Sequence, residues 1–418
     1  LGKLRNFISR IFGLSVTDEK AWNPSLWRLA GSVSTSGEVV TEETALTYSA
    51  IWNAVSLISG TVSTLPLHLY KSTGKTKETV SSNPLYRIMH DEANPYMSAM
   101  AFRETLQSHV LTWGNGYAEI VRNGIGKVVE LWPITPNRVR VDWGENGLVY
   151  VVNVAGEQIV LSSDRVLHVS GLGFDGFQGY SPVAMARKSI GLAMAMETFG
   201  SNYFGNGTHP GVIVSHPNKL SDVAHNNLKA DLTATYSGLG KSHKLLLLEE
   251  GMKMESVGVP PEDSQFLESR QFQIPEIARW FNLPPHKLKD LSRSSFNNIE
   301  SEQISFVTDS ILPWLIRTEQ AFNMQLLTAR EKRDGLYFKH IVEGLLRGDA
   351  KGRGEFYKAM FSVGAMSPND IRSKEDLDPI EGGDEYYVMS NMAPVSILKE
   401  VLLKETKNAN TEQKSIPE

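Results

Sequence analysis

The chain has 418 residues, 41% hydrophobic and 21% charged, an ordinary globular composition with length for roughly two or three cores. Its 42 Lys and Arg against 47 Asp and Glu leave a net charge of −5, unlike the basic surface of a tight nucleic-acid binder, so any DNA contact is local or weak. It has no cysteine, which removes disulfides and thiolate chemistry and fits an intracellular protein, and no apolar run approaches the roughly 18 residues of a membrane span.

The opening LGKLRNFISRIFGL places Leu4, Phe7, Ile8, Ile11 and Phe12 on one helical stripe with Lys3, Arg5 and Arg10 outside it. That pattern suits a membrane-surface helix, or an arm that docks on a partner or packs locally. Arginines interrupt it and no small-residue cleavage site follows, so it does not read as a signal peptide. Residues 21–43 are polar and contain Gly and Ser, reading as an extended arm or linker. Tyr48, Ile51, Trp52, Val55, Ile58, Val62 and Leu65 recur at helical spacing up to Pro66, and LPLHLYK follows as a strand. NPYMSAMAFRETLQSHVLTWGNG predicts a helix with Asn94 as its cap, Pro95 in its first turn and Gly114 near its end.

YAEIVRN, KVVELWPI, RVRVDW, LVYVVNV, QIVLSS and VLHVS predict a β-rich stretch, and a long helix begins at Ser181 and Pro182. GVIVS, LSDVAHNNLKADLTATYS and HKLLLLEEG read as strand, helix and strand. EDSQFLESRQFQIPEIARWFNL predicts a helix kinked at Pro275, and a further helix over SEQISFVTDSILPWLIRTEQAFNMQLL is interrupted by Pro313. The tail KETKNANTEQKSIPE is polar and reads as disordered.

GLGFDG, Gly171 to Gly176, satisfies G-x-G-x-x-G after a strand, but the helix starts only at Ser181 and runs through the place of the second strand that a dinucleotide site needs. SGLGKS, Ser237 to Ser242, resembles the end of a P-loop, yet Thr235 replaces its first glycine and a helix precedes it. A turn between helix and strand accounts for the glycines of SGLGKS. The ten histidines form no close pair at metal-ligand spacing, there is no G-x-S-x-G elbow, and Glu249, Glu250, Glu262 and Asp263 read as solvated charges. Nothing local argues for an enzyme, a metal or a cofactor.

ALTYSAIWNAVSLISGTVSTLPLHLY, GYSPVAMARKSIGLAMAMETFGSNYFGNGTHPGVIV, EDSQFLESRQFQIPEIARWFNLPPHKLKD with FNNIE, and SPNDIRSKEDLDPIEGGDEYYV, in this order, resemble the portal, or head-tail connector, proteins of tailed bacteriophages. The resemblance spans about Leu46 to Pro394. It implies an α+β portal fold assembled as a ring, dodecameric as a rule, at one vertex of the phage head. By the same resemblance the chain divides into an N-terminal arm (1–43), wing (44–180), stem helix (181–210), αβ clip (211–259), kinked stem helix (260–283), tunnel loop (284–300), long wing helix and start of a helical crown (301–394), and C-terminal tail (395–418).

What remains is the segment PPHKLKDLSRSSFNNIE, residues 284–300, partly basic and set between two periodic helices. Residue types alone fit an ordinary exposed helix connection. The resemblance instead makes it the tunnel loop, with Lys287, Lys289, Ser292, Arg293, Ser294, Asn297 and Asn298 lining a DNA channel. The implied partners are further copies of the chain, double-stranded DNA held weakly and without sequence preference, the terminase large subunit, a head-tail adaptor, and the major capsid and scaffolding proteins. No membrane and no cofactor are implied. The implied place is the virion, at the capsid's portal vertex, after assembly in the bacterial host cytoplasm. The sequence carries no motor chemistry, so packaging energy would come from a separate ATPase docking on the ring.

Overall fold

A computed structural model describes residues 33–74, 76–145, 147–205, 211–215, 221, 223, 226–227, 253–257, 263–290, 299–342, 345, 350–375 and 377–387. The chain divides into two compact units, Leu1–Val342 and Glu343–Glu418.

In the first unit a short helix, α1 (Glu42–Ala45), precedes α2 (Ser49–Thr64). Ile51, Ala54, Val55, Ile58 and Val62 are buried along one face of α2, the three-and-four spacing of an amphipathic helix. After β1 (Leu67–Ser72), β2 (Lys77–Thr79) and α3 (Pro84–His90), the expected start of the next helix is corrected. Asn94 lies at the end of β3 (Glu92–Asn94), paired with β4 (Met97–Ser98), and α4 (Ala99–Trp113) is capped by Ser98. The Asn94 carboxamide accepts from Tyr96 N and donates to Leu131 O at 2.9 Å, so it holds a turn to a neighbouring strand instead of capping. Gly114 ends α4 with φ 78°, as its position predicted.

The β-rich stretch forms β5 (Asn115–Arg122), β6 (Val128–Ile134), β7 (Val139–Gly144), β8 (Gly147–Val154), β9 (Glu157–Ser162) and β10 (Val166–Ser170). These make antiparallel sheets β10-β5-β6 and β7-β8-β9; a third, β13-β1-β2, recruits β13 (Leu336–His340), with Leu67 opposite His340. Alternation along β5 splits its side chains between two cores. Ala118 and Ile120 join Leu67, Leu69, Phe102, Leu106, Leu167, Phe322 and Phe338, while Tyr117 joins Val139, Tyr150, Val152 and Leu161.

Ser181 accepts from Ala184 N and starts α5 (Pro182–Met185), followed by α6 (Arg187–Gly205). β11 (Gly211–Ser215) pairs antiparallel with β12 (Lys253–Val257); the expected strand HKLLLLEEG and most of the expected helix before it lie outside the described residues. α7 (Asp263–Trp280) carries Pro275 inside one continuous helix. The interruption expected at Pro313 appears as a change of register: α8 (Ile299–Ser305) passes into a π-helical segment, Phe306–Ile311, before α9 (Leu312–Gln325). A proline at position 313 has no N–H for the Asp309 carbonyl and clashes with it, and the wider π turn relieves that clash. α10 (Ala329–Arg333) leads into β13.

The second unit contains α11 (Ala350–Ser362) and α12 (Pro368–Lys374), the latter opened by a Ser367–Asp370 capping box. The Asn369 carboxamide donates to Ile380 O at 3.0 Å and accepts from Ile380 N at 2.9 Å, fastening the chain around Gly383 to α12.

Candidate functional site

α7 ends at Trp280, and Phe281, Leu283 and Leu288 are buried just beyond it, so apolar burial anchors the entry to the 284–300 segment. Asn282 adopts φ 52°, which turns the chain, and its Nδ2 donates to Asp309 O at 2.8 Å while Ser310 Oγ donates to Asn282 O. Asn tolerates that left-handed backbone better than most residues. The carbonyl that Pro313 cannot serve therefore receives a side-chain donor from the other side of the segment.

Pro284 fixes an extended approach, and Pro285–Leu288 forms one tight 3-10 turn closed by Lys289 at φ 66°. The turn is clamped to the helix that follows the segment: His286 Nδ1 lies 2.6 Å from Glu302 Oε2, and Lys287 Nζ donates to Gln303 Oε1. Lys287 Nζ also stands 4.6 Å from the centroid of the Phe306 ring, a cation–π contact, and its carbonyl accepts from Asn53 Nδ2 at 3.4 Å.

The two lysines therefore differ. Lys287 is half-buried, and burial, followed by the charge on Lys289, lowers its pKa from the usual lysine value. Lys289 is exposed. Burial also lowers the pKa of His286, against the opposing pull of Glu302. Ser292, Arg293, Ser294, Asn297 and Asn298 lie outside the described residues, as does SGLGKS. Asn53, Asn282, Glu302, Gln303 and Phe306 carry the geometry without having been singled out in the sequence; the only local hint was charge complementarity between His286–Lys287 and Glu302. A chemistry of charge and hydrogen bonding is what these groups offer.

The family model for "Phage portal protein" matches residues 49–376. The chain is 32% identical over 384 residues to the portal protein of Enterobacteria phage HK97, covering 90% of each chain. It is 34% identical over 417 residues to a Streptomyces phage phiC31 protein described as "Probable portal protein", covering 93% of this chain and 90% of that one. Among solved structures, a chain in the neck of a native GTA particle computed with C12 symmetry superposes with a TM-score of 0.53 at 20% identity, over 80% of this chain and 91% of that one. The chain belongs to the phage portal protein family. It is a structural protein and not an enzyme.

Proposed function

We propose that copies of this chain form a closed ring, a dodecamer, at one vertex of a tailed-phage head, and that double-stranded DNA passes through its channel during packaging and ejection. The ring is the docking site for the terminase large subunit during packaging and for the head-tail adaptor afterwards, and it sits within a shell built by the major capsid and scaffolding proteins. The observation that carries this reading is the match to portal proteins through nine-tenths of the chain; neck structures that resemble this chain were computed with C12 and with C6 symmetry, and both fit a cyclic ring.

Within that ring the 284–300 segment is the tunnel loop. Lys289 and Arg293, with the neighbouring Ser292, Ser294, Asn297 and Asn298, face the DNA, while Lys287 serves chiefly to fasten the base of the loop. A sparse positive lining suits a passage: each phosphate contact strengthens a salt-dependent grip, and DNA that must slide cannot be gripped tightly.

The test compares Lys289→Gln/Arg293→Gln with Lys287→Gln. The double variant should form rings but change packaging efficiency or genome retention, with the salt dependence of DNA contact reduced by about one counterion per lost phosphate contact. Lys287→Gln should act mainly on ring or loop stability. A double variant that packages and retains DNA as the wild type does at every salt concentration would remove these charges from the channel lining.

A further inference from the structure

The chain that enters the 284–300 segment holds the helix that leaves it at two places. Asn282 Nδ2 donates to Asp309 O at 2.8 Å, and Ser310 Oγ donates to Asn282 O. Nearer the helix start, His286 Nδ1 meets Glu302, Lys287 Nζ donates to Gln303 Oε1, and the same ammonium stands 4.6 Å from the Phe306 ring centroid. The π-helical segment Phe306–Ile311, in which Leu312 N donates to Val307 O five residues back, joins these two sets of contacts within one continuous helix.

A π turn holds one residue more than the α turn it replaces, so it decides which residue stands at each place in α8. α9, on its other side, is anchored. Arg317 Nη1 donates to Ser170 O at 2.9 Å, Glu319 Oε1 accepts from His340 N at 2.8 Å, and Gln325 Oε1 accepts from His168 N at 2.7 Å. With α9 fixed, an α turn in place of the π turn would advance α8 by one residue, about 100° around the axis and about 1.5 Å along it. Ile304 would then stand where Gln303 stands, and Gln303 where Glu302 stands. Ile304 has no side-chain acceptor to offer Lys287, and in the observed register it is 50% exposed.

Two residues favour the π register. Pro313 has no N–H to give the Asp309 carbonyl in an α turn, and its ring would clash there. Asn282, at φ 52°, supplies that carbonyl with a donor from outside the helix. An unmet carbonyl would otherwise count against the wider turn.

We propose that Asn282 and Pro313 are positioning residues for the base of the tunnel loop: together they hold Phe306–Ile311 in the π register, and that register brings Glu302, Gln303 and Phe306 onto the 286–287 turn. Their part in DNA passage rests on the tunnel-loop reading above. The register assignment stands on the contacts alone.

Carbodiimide coupling of the full-length chain reads the register, because it joins an amine only to a carboxylate within reach and leaves Lys287 native. Mass mapping of a Gln303→Glu chain should find Lys287 amide-linked to position 303. An Ile304→Glu chain should form the link at position 304 at least about tenfold less, and adding Asn282→Gly and Pro313→Ala to each should reverse that order, since the lost donor and the removed clash together exceed a tenfold preference. Pro313→Ala alone should move the ratio the same way, which keeps the measurement readable if the combined variant fails to fold. An unchanged ratio, or a loss at 303 with no gain at 304, would overturn the register assignment. Heads built with the Asn282→Gly/Pro313→Ala chain should lose packaged genome. A reversed order with packaging and retention unchanged would overturn the tunnel-loop reading and leave the register assignment standing.

Discussion

Gln325, the last residue of α9, makes with the backbone of His168 the pair of bonds that an adjacent strand would make: Nε2 donates to His168 O at 2.8 Å, and Oε1 accepts from His168 N at 2.7 Å. β10 is an edge strand, and so is β13. The same helix serves both, since Asn323 Oδ1 accepts from Phe338 N at 2.7 Å and Glu319 Oε1 from His340 N at 2.8 Å. One helix closes two open sheet edges with its side chains.

Gln325→Ala should therefore destabilise the first unit by about 1–3 kcal/mol, because it strands a backbone donor and acceptor. Gln325→Glu keeps the acceptor and loses the donor, and should fall between. Urea unfolding midpoints measure both; a Gln325→Ala midpoint equal to wild type would show that the pair contributes nothing.

Asn282 makes a second test. Asn282→Gly keeps the left-handed backbone at no steric cost but deletes the donor to Asp309 O, and should cost about 1 kcal/mol. Asn282→Ala adds backbone strain to that loss and should cost more. If Ala and Gly prove equally tolerated, the positive φ is not a constraint in solution.

Much of the fold was legible because its signals are local. The stripe on α2, Ser181 as a cap, Gly114 as a stop and the alternating strands all follow from spacing within one element. Asn94 misled because its side chain is used by Leu131, 37 residues away, and α3 went unread although Asn83 and Pro84 are a cap and first-turn pair. The clamp on the 284–290 turn was illegible for the same reason: Lys287 and Gln303 are 16 residues apart, and no periodicity announces that they meet. Pro275 lies inside α7, where the sequence placed it.

Acid should unfold the protein early. Burial holds His168 down to about 3 and His109 down to about 4, whereas the unfolded chain takes up these protons near 6.5. Stability is full above about pH 6.5 and falls below it, each histidine contributing up to about 1.4 kcal/mol per pH unit until its folded value is approached. His109 Nδ1 has no hydrogen-bond partner among the described residues, and its ring lies edge-on to Trp113. His109→Phe should keep the packing and flatten the loss of stability between pH 6.5 and 4 by about one proton's worth. An unchanged slope would place His109 in contact with water.

Arg103 is buried, with Nη1 donating to Leu65 O at 2.8 Å just past the end of α2, and burial lowers its pKa to about 10. It stays charged at neutral pH. Arg103→Met should remove that bond while keeping much of the volume, costing about 1–3 kcal/mol; a variant as stable as wild type would mean that packing alone holds α2 to α4.

Electron microscopy of the purified full-length chain tests the central claim most directly. The account predicts closed rings with a central hole and twelve-fold symmetry, in a preparation free of other phage proteins. Monomers at micromolar concentration under every salt condition, or open filaments in place of closed rings, would contradict it.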